Sequence, residues 1–360
     1  MVDTVCLTIP KSKVILMDEN NLKIPSWHLF ARTDFYTKYV RNPSKAEKET
    51  GLYFPRITAY SRKYQQEQQI KIEFSAPKLL FRNNLEELSE DQFEDVIIAL
   101  QDRLKRMGVR VFKKFLIEAS VTSVHFGKNV QFEDGQTATN IIAQIGRIDL
   151  RKSFDFARAR YINDGESLCC HTSSHELIFY DKIADMRKGK KRAIDRDQTG
   201  YQISLFETVK NRDVPYEVLR MEVRLSKKRK LNSVFKKLDL PINPTFRQVF
   251  SNVVSQKVLW EYWHGVVKSK NYGAFMIEST PIELLKRICT EFPEAKPKQL
   301  ITQTGLLLLA QSSHGLRELR TVLQKNSHDR TWGRIMKEHR ETSRAISEGK
   351  IRNWVTTFEE

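Results

Sequence analysis

The sequence predicts an α+β fold, with an antiparallel sheet in the first part of the chain and helices in the last part. Three observations predict it. Strand-like segments dominate the first eighty residues, two strongly alternating strands occur at Glu176–Lys182 and Val218–Leu225, and the pattern becomes helical from about Asn243. We therefore expect an α+β domain over residues 1–240 and a helical domain over residues 241–360.

The N-terminal strands are short and bounded by polar turns. Val5–Ile9 is an apolar run, and Ile57–Tyr64 and Ile70–Ser75 flank a polar QQEQQ turn, which favours a hairpin. A helix follows, with Ser89 as its N-cap and Gly108 at its C-terminal end. Its apolar stripe comprises Phe93, Val96, Ile97, Leu100, Leu104 and Met107.

The middle of the chain alternates between strand and helix patterns. Val121–Val130 and Arg147–Arg151 have the period of strands, and Thr137–Gln144 is a candidate helix between them. The basic stretch that begins at Met186 and ends at Gln202 predicts a helix that runs into an exposed loop. In the C-terminal region we expect helices at Phe246–Trp263, Pro281–Cys289, Pro297–Gln311 and Leu316–Gln324.

The charge of the chain indicates a polyanionic partner. Its 61 Lys and Arg residues against 44 Asp and Glu residues give a net charge of +17. Basic proteins bind nucleic acid because each neutralised phosphate releases counterions. A basic protein without such a partner is the alternative that the charge leaves open.

The compartment is predicted from cysteines and from apolar runs. The four cysteines show no CxxC spacing, which fits a reduced cytosol better than a disulfide framework. The N-terminal residues lack the pattern of a signal peptide, and the apolar run Leu306–Ala310 is too short to cross a bilayer. We expect no membrane association and a cytoplasmic location.

Two strands place a carboxylate between two arginines. In LRMEVRL, Glu222 shares one strand face with Arg220 and Arg224 while apolar residues take the other face, and RIDLR puts Asp149 between two arginines in the same way. Phosphodiester chemistry uses carboxylates to bind a metal and arginines to bind phosphate. The alternative for each strand is a solvated face with ion pairs.

A tyrosine and two histidines complete the candidate residues. Tyr180 and Lys182 lie two residues apart in ELIFYDK, and a phenol beside a cation can act as a nucleophile, although a packed or surface tyrosine is the more common case. His125 and His171 are weaker candidates. A single histidine in a strand, such as His125, is more often structural than a ligand, and HTSSH, which contains His171, lacks the glutamate of a zinc-binding HExxH motif. Lys128 lies on the strand that contains His125, and we assign it to DNA binding with Arg220 and Arg224.

The order of motifs resembles the replication initiator family of filamentous phages, the gene II and gene X proteins, and related plasmid initiators. The resemblance covers roughly residues 1–265. It rests on DTVCLTIP, IKIEFSAPKLLFRNN, GRIDLRKSFDF, HTSSHELIFYDK, EVLRMEVRL and SQKVLWEYW, in that order. It implies a rolling-circle initiator with an HUH-like nuclease domain, in which a tyrosine cuts one origin strand, bonds to the 5′ phosphate and leaves a 3′ hydroxyl.

The resemblance also implies residue roles and partners. Asp149 and Glu222 are the implied metal ligands, and Tyr180 with Lys182 forms the nucleophile motif; His125, which we add to the metal ligands, and His171 are reserve ligands that the resemblance does not assign. The histidine pair of the wider nickase superfamily has no clear counterpart, and carboxylates favour Mg²⁺ or Mn²⁺. We expect single-stranded and duplex origin DNA as partners, with a helicase and a polymerase from the bacterial host, because the chain has no P-loop motif.

Two other functions compete with this hypothesis. A relaxase that nicks for conjugative mobilisation would use the same chemistry. A non-enzymatic, basic origin-binding protein would bind DNA without cutting it, and its binding would survive the loss of Tyr180. The C-terminal helices, including Lys296–Gln324, could either read duplex DNA or serve only for packing.

Overall fold

The computed structural model describes most of the chain. The described residues are 1–16, 27–33, 36–62, 67–81, 85–132, 137–150, 160–162, 166–187, 217–268, 275, 280–312, 315–324, 329–346 and 355. The basic stretch that follows Arg187, for which the sequence predicts an exposed loop, lies outside them.

Within these residues, ten strands form one sheet in which all neighbours are antiparallel, in the order β3-β4-β5-β6-β1-β8-β12-β11-β10-β9. A second, two-stranded sheet pairs β2 with β7. The strands are β1 Val2–Pro10, β2 Val14–Leu16, β3 Trp27–Arg32, β4 Tyr36–Arg41, β5 Arg56–Arg62, β6 Gln69–Ser75, β7 Val109–Val111, β8 Ser120–Phe132, β9 Arg160–Ile162, β10 Ser167–His171, β11 His175–Asp181 and β12 Glu217–Leu225.

Helices connect the strands and make up the described C-terminal region. They are α1 Lys45–Glu49, α2 Ala76–Phe81, α3 Phe93–Arg106, α4 Lys113–Ile117, α5 Ala138–Ile145, α6 Lys182–Arg187, α7 Lys228–Lys237, α8 Phe246–Val249, α9 Asn252–Trp260, α10 Pro281–Glu291, α11 Pro297–Gln311, α12 Gly315–Gln324 and α13 Asp329–Ile346. Two 3-10 turns occupy Lys11–Lys13 and Glu90–Gln92, and a π-helical segment, Glu261–Lys268, continues α9.

Most predicted elements are confirmed with small shifts of their ends. The hairpin of β5 and β6, strands β8, β11 and β12, and helices α3, α5, α10, α11 and α12 lie where the patterns predict them. Ser89 forms a capping box with Gln92, and Gly108 ends the α3 region with a φ of +77°. Lys182 begins helix α6 instead of ending β11, because Asp181 Oδ1 accepts the Ala184 N–H at 2.8 Å and caps the helix.

The strand predicted at Arg147–Arg151 is wrong for its described residues. Arg147 lies in a turn after α5 and Ile148 in a bend, whose N–H donates to the Ile145 carbonyl at 3.1 Å, and Asp149 and Leu150 belong to neither helix nor strand. Ile148 and Leu150 are buried in the core, so the two apolar residues that suggested a strand face instead anchor this turn. A run of five alternating residues fits either structure.

The two faces of the large sheet differ in chemistry. One face carries the main hydrophobic core, to which α3, α5 and α9 contribute. On the central strands this core includes Val5, Leu7, Val124, Phe126, Leu177, Phe179, Leu219, Met221 and Val223. The opposite face carries polar and charged side chains from the same strands, as alternation requires.

The described C-terminal residues contribute to more than one core. Phe246, Phe250, Val258 and Trp263 belong to the main core of the sheet. Helices α10 to α13 form two smaller clusters, centred on Leu307 and on Trp332 with its neighbours. The division of the chain at residue 240 stays a prediction. In the part that the structure describes, no helix is long and apolar enough to cross a membrane.

Candidate functional site

The polar face of the sheet brings together side chains from four neighbouring strands, β8, β12, β11 and β10. Backbone pairing aligns them in three rows. The rows are His125, Arg224, Glu176 and His171; Gly127, Glu222, Ile178 and Cys169; and Asn129, Arg220, Tyr180 and Ser167. Cross-strand neighbours on one face lie close enough to interact directly.

Glu222 is the centre of a buried hydrogen-bond network. Its Oε1 accepts a hydrogen bond from the Tyr180 hydroxyl at 2.9 Å and another from Arg220 Nε at 2.9 Å. Its Oε2 accepts from Arg224 Nε at 2.9 Å and from Arg224 Nη2 at 2.7 Å. Burial alone would raise the pKa of Glu222, but the two guanidinium groups outweigh burial and hold that pKa well below its usual value.

Arg220 ties this network to the N-terminal strand. It is 2% exposed, and besides Glu222 it contacts Asp3 Oδ2 at 3.1 Å and donates to Asn129 Oδ1 at 2.9 Å. Gly127 provides the space for the guanidinium group, because a Cβ at this position would lie 2.7 Å from Arg220 Cζ. The three partners satisfy a buried cation that would otherwise be costly to hold away from water.

Tyr180 and Lys182 lie together at one end of the network. Burial and the Glu222 carboxylate raise the pKa of Tyr180 well above its usual value. Lys182 Nζ lies 5.5 Å from the centre of the Tyr180 ring, a cation–π distance. Lys182 is fully buried, and burial, with the nearby charge of Arg220, lowers its pKa to about 7.

At the other end of the network, Arg224 is partly exposed and faces both a carboxylate and an imidazole. Arg224 Nη1 lies 3.4 Å from Glu176 Oε2, and His125 is its cross-strand neighbour on β8. Burial and Arg224 both lower the pKa of His125. His171 lies beyond Glu176 in the same row.

Asp149 and Lys128 do not join this network. Asp149 Oδ2 accepts hydrogen bonds from Arg320 Nη1 at 3.0 Å and Trp332 Nε1 at 3.1 Å, both on C-terminal helices. Lys128 pairs with Met221 across the strands, so it lies on the face opposite Glu222, and its Nζ is 3.4 Å from Glu87. Asp149 thus connects the turn after α5 to the helices α12 and α13.

The implied metal ligands are therefore not assembled. The Glu222 carboxylate is saturated by Tyr180 and two arginines. Asp149 follows a helix that packs into the core on the other face. No group of three or more His, Cys, Asp or Glu residues suited to a metal ion occurs among the residues that the structure describes. The residues as arranged do not fit a metal held jointly by Asp149, Glu222 and His125, and we assign no ligand set.

Sequence reasoning did not identify three parts of this site. Asp3 and Asn129 come from distant segments, and no local pattern links them to Arg220. The third part is a cavity of about 550 Å³ on the same sheet face, which contains His125 and several lysines. A visible signal for it was the basic run KKRK, which begins at Lys227, two residues after the end of β12 at Leu225.

The arrangement combines a phenol, a carboxylate and two guanidinium groups within direct contact. In the described state Glu222 holds Tyr180 protonated and occupies both arginines. A phosphate that displaced Glu222 from Arg224 would meet a guanidinium fork suited to its oxygens. The phenol would then lie next to an anion bound by arginine.

Comparison with known proteins found no matching family model, no matching curated protein and no matching solved structure.

Proposed function

We propose that this chain is a DNA-nicking protein that initiates rolling-circle replication, with Tyr180 as its nucleophile. The observation that carries the proposal is the hydrogen bond from the Tyr180 hydroxyl to Glu222 on the polar face of the sheet. Two arginines donate to the same carboxylate. Tyrosine, arginine and a charge of +17 are the components that strand transfer on a polyanion requires.

The proposed reaction is a transesterification. The Tyr180 oxygen attacks the phosphorus of a DNA phosphodiester, the bond to the 3′ oxygen breaks, and a 5′-phosphotyrosine and a free 3′ hydroxyl form. The phenol proton is transferred, in net terms, to the leaving 3′ oxygen. Arginines next to the attacking oxygen would stabilise the charge that develops on the phosphate oxygens.

Lys182 is the residue best suited to move the proton. At a pKa of about 7 it is about half neutral at neutral pH and can accept a proton, whereas the low pKa of Glu222 makes that carboxylate a weak base. Lys182 Nζ lies 5.5 Å from the centre of the Tyr180 ring, and its ammonium form would then stabilise the phenolate. Lys182 therefore has the role of a proton acceptor and positioning cation in this proposal.

The site must rearrange before it can react. Arg224 is the exposed arginine, with a side chain 33% exposed, so an incoming phosphate can reach it first. When Arg224 binds the phosphate, Glu222 loses one of the two cations that keep its pKa low. The pKa of Glu222 therefore rises, and its carboxylate accepts the Tyr180 hydroxyl proton more strongly. The proposal therefore assigns phosphate capture to Arg224 and structural support to Arg220.

The proposal includes partners, and the resemblance implies an ion. Mg²⁺ or Mn²⁺ would supply Lewis-acid chemistry at the scissile phosphate. Because Asp149, Glu222 and His125 as arranged do not form its site, the steps above use only the side chains of this chain. Host helicase and polymerase would open the duplex and extend the 3′ hydroxyl in the bacterial cytoplasm.

A non-enzymatic DNA-binding protein is the second candidate, and one observation favours it. The Tyr180 hydroxyl donates to a carboxylate that is already paired with two arginines, so phenol and carboxylate satisfy each other without a substrate. Buried polar networks of this kind can exist to specify a fold. Such a protein would bind DNA and leave it uncut.

A cleavage assay separates the two candidates. End-labelled single strands that contain the origin would be incubated with the protein and Mn²⁺ or Mg²⁺, and with EDTA, beside Tyr180→Phe. The nickase proposal predicts a shortened product that Tyr180→Phe abolishes, and loss of that product with EDTA would establish the ion requirement that the resemblance implies. Intact DNA under every condition, together with tight binding, would support the second candidate.

A further inference from the structure

The cavity beside the Glu222 network is an open groove across the polar face of the sheet. It has a volume of about 550 Å³ and extends from β4 and β5, over β6, β1 and β8, to the turn between β12 and α7. His125 belongs both to this groove and to the row that contains Arg224. The groove therefore leads to the exposed arginine of the site.

The charge of the groove is strongly positive. Its lining contains the cations Lys38, Arg56, Lys71, Lys227 and Lys228, and Glu73 is the one carboxylate among the lining residues. Arg56 Nε is buried and has no hydrogen-bond partner. Like charges that converge on one concave surface repel each other unless an anion neutralises them. The groove is thus suited to an anion with several negative charges.

The end of the groove coincides with the N-terminus of α7. The cap residue Lys227 makes no side-chain capping hydrogen bond, and the first turn contains no acidic residue. It contains Lys228, Arg229 and Lys230 instead. Cations at the positive end of a helix dipole are unfavourable, and phosphate binds readily to the free N–H groups there. A bound phosphate would offset the charge of these cations and accept hydrogen bonds from the N–H groups of the first turn.

Tyr60 supplies aromatic surface at the other end, and Tyr36 packs against its ring. Tyr60 lines the groove, and its ring centre lies 5.4 Å from that of Tyr36. Lys71 Nζ lies 5.8 Å from the centre of the Tyr60 ring. Aromatic rings within a cationic groove are the arrangement on which single-stranded nucleic acids stack their bases. Duplex DNA keeps the faces of its bases inside the helix and cannot use such rings.

We propose that this groove binds single-stranded DNA, with a base stacked on Tyr60 and phosphates held by the groove lysines and the N-terminus of α7. Neighbouring strands are about 4.8 Å apart, so the four intervals from β5 to β12 span roughly 19 Å. A stretch of single-stranded DNA of this length would reach from Tyr60 to Arg224 and place one of its phosphates there. The role as a substrate path rests on the proposed function, but binding can be measured without cleavage.

The test is fluorescence anisotropy of a labelled oligothymidylate, which contains no origin sequence. Tyr60→Thr, which suits a strand, should weaken binding about tenfold, and Tyr60→Phe should retain it because the ring remains. Lys71→Gln should reduce the slope of log affinity against log salt by about 0.7, the value for one phosphate contact in a single strand. Lys337→Gln removes the same charge on α13 and should change neither quantity. Thermal unfolding of each variant establishes that it is folded.

Several results would overturn the proposal. One is equal affinity of wild type and folded Tyr60→Thr for the oligothymidylate. Another is an equal loss of affinity in Lys71→Gln and Lys337→Gln. A third is stronger binding of duplex DNA, or of an RNA strand of the same length, than of the oligothymidylate. Cleavage is scored separately through Tyr180. If the protein does not cut DNA but its binding depends on Tyr60, the nickase is refuted and the groove is supported. If the protein cuts DNA through Tyr180 but its binding does not depend on Tyr60, only the groove is refuted.

Discussion

Replacing Arg220 by methionine tests whether the Glu222 network is a tightly coupled buried unit. Methionine has a similar length and an apolar surface, so the change removes the charge and the hydrogen bonds with little change in volume. It leaves Glu222 without one of its two cations and removes the partner that Asp3 contacts at 3.1 Å. It also removes the donor to Asn129.

The expected loss of stability follows from burial. Glu222 and Arg220 are each 2% exposed, so water cannot replace the lost contacts without opening the sheet. Removing one partner of a buried ion pair costs about 3–5 kcal/mol, because the other charge stays buried without compensation. A domain has a total stability of about 5–15 kcal/mol, so this single change should remove a large share of it.

Urea denaturation at pH 7, followed by fluorescence and circular dichroism, measures the change. Arg224→Met is the matched control, because it removes a guanidinium group from the same carboxylate at a position 33% exposed. Water can replace part of that contact, and we expect a loss of about 1–2 kcal/mol there. A loss below about 1 kcal/mol for Arg220→Met, or equal losses for both variants, would refute the account of the network.

Three further changes test separate parts of the structure. Gly127→Ala should destabilise the protein by about 1–3 kcal/mol in urea denaturation, since the new Cβ crowds the Arg220 guanidinium; wild-type stability would contradict this. Lys182 has a pKa of about 7 when folded and 10.5 when unfolded. The unfolded state therefore binds more protons between these values, and stability from this group rises with pH across that window. In wild type this rise in the free energy of unfolding is at most about 1.4 kcal/mol per pH unit, and Lys182→Met should lack it. Equal slopes of unfolding free energy against pH in the two proteins would argue against burial of the amine. Asp149→Ala should release Arg320 and speed proteolysis of α12 and α13 while the sheet stays intact; unchanged cleavage would mean that this contact does not anchor them.

Local alternation predicted which residues of β12 share the polar face. The period-two pattern of β12 placed Arg220, Glu222 and Arg224 on one face, and the structure confirms that shared face. The same kind of pattern put Tyr180 on a strand, which the structure confirms as β11. Pairing of β11 with β12 then brings the phenol to Glu222, which no local pattern specifies.

The missed parts depend on contacts between distant segments. The partners of Asp149 lie 171 and 183 residues away, so its isolated pattern could not distinguish a strand from a turn that anchors helices. The contact of Asp3 with Arg220 likewise depends on the central position of β1 in the sheet order. Lys182 is helical because Asp181 caps α6, and the strand-like sequence gave no indication of this cap.

The most direct test of the central claim is to locate a covalent bond between DNA and the chain. Protein would be incubated with origin-containing single strands and Mn²⁺, digested with nuclease and protease, and analysed by tandem mass spectrometry. The nickase account predicts a phosphonucleotide on Tyr180, no adduct in Tyr180→Phe, and a free 3′ hydroxyl that a polymerase can extend. An adduct on another tyrosine, or none while the DNA is bound, would contradict it.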